Sequence, residues 1–410
     1  MSHITGTVQV LAAPQSIGPG TTIFNPPAAP GGTKLLMLHF QNPDFKPGDS
    51  LRVNLGYATD VFTAADGPAF WTRPINVYAF PAGVEITYVK AGALVGSIQL
   101  DRFGRGERHA GETGHPSFSN CDPFYQAPAY VEPTYDPFWY CTDPPNWENA
   151  AAVTDANDVR ARVARSVGMI VMVHGSNVST CSVTLVDADK VLTAGHCHDT
   201  TEDALSGSIV FDYQTLADGS RPPGYSPKVY KVKAVLGRKF TGSTLDYSLL
   251  QLAEAPVGVP AIQMRNDLPL IGEAVFGVHH PNGAVKKLSQ PHGGGFSQVT
   301  GSALGGINVP SSFDVSGGSS GSGLFDAAGR IVGILSLGAP CSGSPLAYSP
   351  TRNVLADLTP VPPPAVNRDV MVVFDRSGSM NMNDGTGRKK IDAARDAVSL
   401  FVQLVRAGCR

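Results

Sequence analysis

The chain has 410 residues, with 31 Lys and Arg against 34 Asp and Glu, so its formal net charge at pH 7 is −3. It has no basic block, which argues against a nucleic-acid partner, and no run near the ~20 apolar residues that a membrane helix needs. Charged residues make up only 16 %, while Gly (45) and Pro (33) are plentiful; that composition suits short strands joined by tight turns, and the length suits two or three domains.

Residues 1–115 read as a separate β-rich domain, with a β-sandwich as the expected architecture. Lys34-Leu-Leu-Met-Leu-His-Phe40, Ser50-Leu-Arg-Val-Asn-Leu55 and Val84-Glu-Ile-Thr-Tyr-Val89 mix apolar and β-branched residues, and turn signals such as Lys46-Pro-Gly-Asp49 separate them. An accessory, pro- or binding module is expected there, with His109 and His115 solvated in a Gly-rich loop. The first residues lack the basic and apolar regions of a secretory signal. The six cysteines nevertheless suggest disulfides, and so an extracellular or periplasmic protein, reached by non-standard export or after trimming of the N-terminus.

Residues 116–150 are rich in Pro and aromatics and read as an ordered linker. Residues 151–358 form the next domain. It opens on Asp, Asn and Arg at near-helical spacing, read as a solvated helix or turn rather than a calcium loop, because the ligand spacing is absent. Asn177-Val-Ser179 is a glycosylation acceptor in form only. From Cys181, two short apolar runs flank a polar turn at Asp187–Lys190, a β-hairpin signal that ends in Thr193-Ala-Gly-His196-Cys197. His196 therefore sits at a strand end, where a rigid sheet aims it. Cys197 can reach back to Cys181 across the hairpin and lock the loop. Asp246 opens the alternating strand Asp246-Tyr-Ser-Leu-Leu-Gln-Leu252, where a carboxylate can accept the other ring N–H of a histidine. His279 and His280 are adjacent, so on a strand they point to opposite faces and do not share a metal ion. Gly318-Ser-Ser320-Gly-Ser322 offers what a nucleophilic serine needs: a sharp turn, glycines that admit a substrate carbonyl, and free amides for an oxyanion.

Taken together, the strings Leu192-Thr-Ala-Gly-His-Cys197, Leu245-Asp-Tyr-Ser-Leu-Leu-Gln-Leu252 and Gly317-Gly-Ser-Ser-Gly-Ser-Gly-Leu-Phe325, in the order His, Asp, Ser, resemble the chymotrypsin/trypsin-like serine proteases. The resemblance covers roughly residues 120–360. It implies a mainly β fold of two six-stranded antiparallel barrels, with His196 and Asp246 from the first, Ser320 from the second and the triad in the cleft between. It further implies a serine endopeptidase acting on protein or peptide substrates through an acyl-enzyme, with the amides of Gly318 and Ser320 as oxyanion hole and no cofactor. Ile331–Cys341 resembles the strand lining the specificity pocket, which brings in Ser336 and Gly338, and Cys341 is expected to pair with Cys121 or Cys141. Ser319 stands where animal trypsins carry an aspartate. With His279-His-Pro-Asn282 and Lys286-Lys-Leu-Ser289, that makes bacterial lysyl endopeptidases the nearer likeness. Ser319 cannot bind a new N-terminal amine, so activity is expected not to depend on cleavage near Ser166. The cues to specificity conflict. Leu346 lies where those enzymes place a pocket aspartate, which would favour small or apolar side chains, whereas Asp314 lies where trypsins keep theirs.

After a stiff Pro-rich linker at 359–366, the strand-like run 369–374, then Asp375-Arg-Ser377-Gly-Ser379, then a helix with Ile391, Ala394, Val398, Phe401, Val402 and Val405 on one face resemble the opening of a von Willebrand factor type A domain. In that family Asp375, Ser377 and Ser379 would hold Mg²⁺, and a full-length form would bind a protein ligand. The 367–410 stretch stops after one helix, so a partial reading frame and weak metal binding are expected. The competing overall expectation is an adhesion protein whose protease-like domain is only a scaffold.

Overall fold

The computed structural model describes residues 3–107, 145–359 and 378–406, apart from 28–32, 42, 95, 217–219, 221–224, 292–293, 303–304, 311, 339–345 and 384. The expectations for His109, His115, Cys121, Cys141, Cys341, Asp375, Ser377 and the strand-like run 369–374 fall outside these residues. Residues 1–359 form one unit and 360–410 another.

The N-terminal part alternates strands with Gly- and Pro-bearing turns: β1 (His3–Ile17), β2 (Gly20–Phe24), β3 (Thr33–Gln41), β4 (Ser50–Asn54), β5 (Thr59–Phe62), β6 (Ala69–Trp71), β7 (Val84–Val89) and β8 (Ile98–Glu107). They make two antiparallel layers, β1-β8-β3-β6 and β2-β7-β4-β5. The alternation of β7, buried at Val84, Ile86 and Tyr88 and more open between them, turns one face inward. Leu36, Leu38, Phe40 and Phe103 of the first layer close a core with Phe24, Leu51, Val53 and Ile86 of the second.

A short strand, β9 (Trp147–Asn149), and a helix, α1 (Val159–Ala164), lead into β10 (Val167–His174), β11 (Asn177–Asp187), β12 (Lys190–Thr193), helix α2 (Thr201–Leu205), β13 (Ser208–Phe211), β14 (Lys228–Phe240) and β15 (Asp246–Leu252). The Asp158 side chain caps α1 by accepting from Arg160 N–H. Pairings run β10-β13-β14-β15-β12-β11, and β11 returns to β10, which closes a six-stranded barrel. The second sheet comprises β16 (Ala274–His279), β17 (Lys287–Ser289), β18 (Ser297–Gln298), β19 (Ile307–Val309), β20 (Gly323–Asp326), β21 (Ile331–Leu337) and β22 (Leu346–Pro350), before helix α3 (Thr351–Leu358). Its order is β19-β22-β21-β20-β16-β17-β9, with β18 beside β16. Among the described residues this path stays open, where a second six-stranded barrel is the sequence expectation. It wraps a core of Val275, Phe313, Leu324, Leu335 and Tyr348.

The sequence gives no sign of how the N-terminal layers join the barrel. β12 covers β11 from Thr184 to Asp187, and β1 takes the same edge from Asn177 to Thr180. One ten-stranded sheet therefore runs from the barrel into the N-terminal part. Gly6 permits the crossing: a Cβ there would lie 2.3 Å from Arg105 O. Leu35, Met37 and Trp71 pack on Met169, Val171, Val178, Val210 and Val229 of the barrel. Arg73, paired with Asp60, donates to Val229 O at 2.9 Å.

In the second unit, the turn Gly378–Asn381 and helix α4 (Lys390–Arg406) are described. Ile391, Ala394 and Val398 are half-buried, while Asp392, Arg395 and Asp396 are exposed. Among the described residues, no helix is long and apolar enough to cross a membrane.

Candidate active site

His196 is held by the end of β12. The Cys181–Cys197 disulfide ties the residue after it to β11, with Cα atoms 6.3 Å apart. Arg238 of β14 clamps the same turn, donating to Gly195 O at 2.8 Å and to His198 O at 2.6 Å. Phe240 tilts against the imidazole at 5.6 Å. Neighbouring His198 faces away: its nitrogens meet Thr200 O and Ser248 Oγ, and burial lowers its pKa.

Asp246 is the first residue of β15 and is fully buried. Its Oδ1 accepts from His196 N–H at 3.1 Å and its Oδ2 meets His196 Nδ1 at 2.6 Å. A carboxylate only accepts, so Nδ1 carries a proton, and in the neutral ring Nε2 is then the atom that can accept one. Ser336 Oγ donates to the same Oδ2 at 2.7 Å, and Ser349 Oγ accepts from Asp246 N–H at 2.9 Å. Both serines belong to the second sheet, so the acid is held from both sides of the cleft.

Ser320 follows a turn in which Gly318 has φ +85°, and Gly321 after it has φ +80°. A Cβ on Gly321 would sit 2.2 Å from Thr193 Oγ1 and 2.8 Å from Ala194 N. The serine turn thus lies directly against the strand end that carries His196. Ser182 of β11 fastens it there: its N–H donates to Ser320 O at 2.8 Å and its Oγ to Gly318 O at 2.9 Å. Thr193 Oγ1 in turn donates to Ser182 O at 2.8 Å. The structure thus sets the turn carrying Ser320 against the strand end that carries His196 and its partner Asp246.

The residues expected at a specificity pocket lie in different surroundings. Ser336 engages Asp246 through its hydroxyl. Leu346 is buried in the core of the second sheet with Phe313, Val315 and Tyr348. Asp314, 1 % exposed, accepts from Asn146 N–H at 2.7 Å. Gly338 is half-buried beside Val315 and borders 339–345. Ser379 is exposed in its turn. Among the described residues, no group of three or more His, Cys, Asp or Glu side chains is disposed to hold a metal ion.

The adjacent histidines do part company. His279 bonds to Ser319 Oγ and Ser289 Oγ, whereas His280 bonds to Ala284 O and stacks on Tyr213. Burial lowers the pKa of His279 to about 3, holds His280 well below its ordinary value and lowers Lys286 to about 8. Sequence reasoning missed Ser182 and Ser349, each of which meets the site through partners distant in the chain and has no local signature.

Residues 148–350 match the family model for the C-terminal domain of lysyl endopeptidase. No curated protein matches the chain. Similar solved structures include a serine endoprotease from Yersinia pestis, at 17 % identity over 50 % of this chain and 66 % of that one, with a TM-score of 0.36. Others are a thermostable serine protease from an extremophilic microorganism (16 %, covering 48 % and 96 %, TM-score 0.37) and a Glu endopeptidase (19 %, covering 52 % and 94 %, TM-score 0.37). At those TM-scores the structural likenesses carry no argument. The matched segment is a serine-type peptidase domain, mainly β, built as a closed barrel facing a second curved sheet.

Proposed function

We propose that the protein is a serine endopeptidase acting through His196, Asp246 and Ser320. Ser320 Oγ attacks the scissile carbonyl while His196 Nε2 takes its proton. Asp246 balances the imidazolium, and the amides of Gly318 and Ser320 stabilise the oxyanion. His196 then protonates the leaving amine, and water activated by the same histidine releases the acyl group. The observation that carries this reading is the bond between His196 and the buried Asp246 at 2.6 Å, braced by Ser336, beside the turn that carries Ser320. The peptidase reading calls for no cofactor.

The test is covalent labelling by a fluorophosphonate probe. The native chain is expected to label at one site and Ser320→Ala not at all; equal labelling of both would sink the assignment and return the adhesion-scaffold reading.

A second reading, cleavage after lysine, is favoured by the family match and by the buried acid Asp314. Against it, the Asp314 carboxylate is already engaged by Asn146 N–H. Cleavage of a peptide library discriminates: a basic residue before the cut supports Asp314 as its partner, and small or apolar residues there oppose it.

The disulfide supports an extracellular or periplasmic location, with protein or peptide substrates. For the second unit, the von Willebrand type A reading rests on its sequence resemblance and on helix α4. On that resemblance Asp375, Ser377 and Ser379 would offer three oxygen ligands to Mg²⁺, and weak binding is expected.

A further inference from the structure

A trans peptide is planar, so its C=O and N–H point to opposite sides. Whatever grips the carbonyl of residue 317 therefore aims the amide of Gly318, and whatever grips the carbonyl of Ser319 aims the amide of Ser320. Gly317 O accepts from Asn282 N–H at 2.6 Å, and Ser319 O accepts from Ser322 N–H at 3.0 Å. Asn282 has φ +51° in the tight corner between β16 and β17, which turns its N–H toward the loop. Its Oδ1 also accepts from Ser316 Oγ at 2.7 Å.

A second set of bonds crosses the same loop. Ser316 N–H donates to Ser319 Oγ at 3.0 Å, and the Ser319 hydroxyl meets His279 Nδ1 at 2.6 Å. His279 Nε2 meets Ser289 Oγ at 2.8 Å, and that hydroxyl donates to Asp314 O at 2.9 Å. Only one set of proton positions satisfies every link. Ser289 O–H goes to the carbonyl, so Ser289 Oγ must accept from Nε2–H. That leaves Nδ1 to accept from Ser319 O–H. Trp147, edge-on at 5.5 Å, packs against the imidazole. The chain of bonds is closed and uncharged, and it begins and ends between residues 314 and 319, immediately before Ser320.

We propose that His279 and Asn282 are positioning residues that hold the loop before Ser320, Asn282 through its backbone N–H on Gly317 O and its Oδ1 on Ser316 and His279 through the Ser319 hydroxyl, so that the Gly318 amide is aimed at an oxyanion and the hole is pre-formed by contacts within the peptidase domain. The proposal rests on the reading of Ser320 as nucleophile. It names a neutral brace, the Asn282 backbone N–H and Oδ1 with the imidazole of His279, supplied by the end of β16 and the corner after it.

The test uses the full chain, the fluorophosphonate probe and a quenched fluorescent casein peptide. His279→Phe keeps bulk and removes both hydrogen bonds; kcat is expected to fall about 100-fold, the scale of losing one oxyanion donor, with KM within about threefold. His279→Asn restores an acceptor near the Nδ1 position and is expected to recover at least about tenfold of that loss. If His279→Phe does not fold, Asn282→Gly keeps the left-handed backbone and removes only the Ser316 contact, with kcat down about tenfold. Native kcat in His279→Phe, or in Asn282→Gly where the former does not fold, would overturn the proposal, as would equal losses in the Phe and Asn variants. Failure of the native chain to label would instead remove the nucleophile reading itself.

Discussion

Ser336 Oγ and His196 Nδ1 converge on one oxygen of Asp246, at 2.7 and 2.6 Å. The two residues come from opposite sheets, so this bond pair sets the ring orientation and also ties the cleft walls together. Asp246→Asn would reverse the donor pattern at that oxygen and leave His196 in the wrong tautomer, and kcat is expected to fall roughly 10⁴-fold. Ser336→Ala removes one donor to a buried charge, about 1.5–3 kcal/mol, and is expected to lower kcat about 10- to 100-fold. Steady-state kinetics on the casein peptide measures both; native rates in either variant would contradict the arrangement.

The Cys181–Cys197 bridge closes a short loop around the histidine turn, its partners 16 positions apart in sequence. Its removal by Cys181→Ala/Cys197→Ala is expected to destabilise the chain by about 3 kcal/mol and to lower turnover. Intact-mass measurement with and without reductant establishes the bridge, and denaturant titration gives its contribution.

Acid should destabilise the peptidase domain through His279. Its folded pKa of about 3, set by burial with Lys287 as a lesser cause, lies below its ordinary value of 6.5. Between those values the unfolded chain binds a proton that the folded one does not, so stability rises with pH across that window and is lost on acidification from about 6.5 toward 3. The slope from this one group is about 1.4 kcal/mol per pH unit. The difference between urea midpoints at pH 7 and pH 4 should shrink in His279→Asn, and an unchanged difference would remove His279 as the cause.

Trp71 stands where the N-terminal layers meet the barrel, 5 % exposed and grouped with Met169, Val171 and Val178. Trp71→Ala is expected to cost about 3–5 kcal/mol. Because one sheet spans both parts, thermal unfolding of residues 1–359 should shift as a single transition. Two separated transitions by calorimetry would show that the layers and barrel melt independently.

Local signals made much of this site legible. The hairpin ending in His196, the strand opened by Asp246 and the serine–glycine turn each occupy a few consecutive residues, and each takes the expected conformation. What escaped depends on approach across the chain. Ser336 reaches Asp246 over 90 positions, so its hydroxyl has no sequence signature beyond its strand. Leu346 and Asp314 are placed by likeness to motifs, and motif position does not reveal the apolar core around Leu346 or the Asn146 N–H on the Asp314 carboxylate. The alternation rule separated His279 from His280 but could not name Ser319 as the partner of the first. The edge shared by β12 and β1 on β11 was invisible because β1 carries an ordinary strand pattern.

That shared edge bears on the integrity of the particle. The stretch from Glu107 to Trp147 is the covalent connection, yet the ladder between β1 and β11 and the apolar contact around Trp71 hold the same two pieces without it. A single cut in the connection would therefore leave two polypeptides travelling as one species on a sizing column and parting only in denaturant. Chain continuity and physical unity are separate properties in this molecule, and the hydrogen-bonded edge supplies the second.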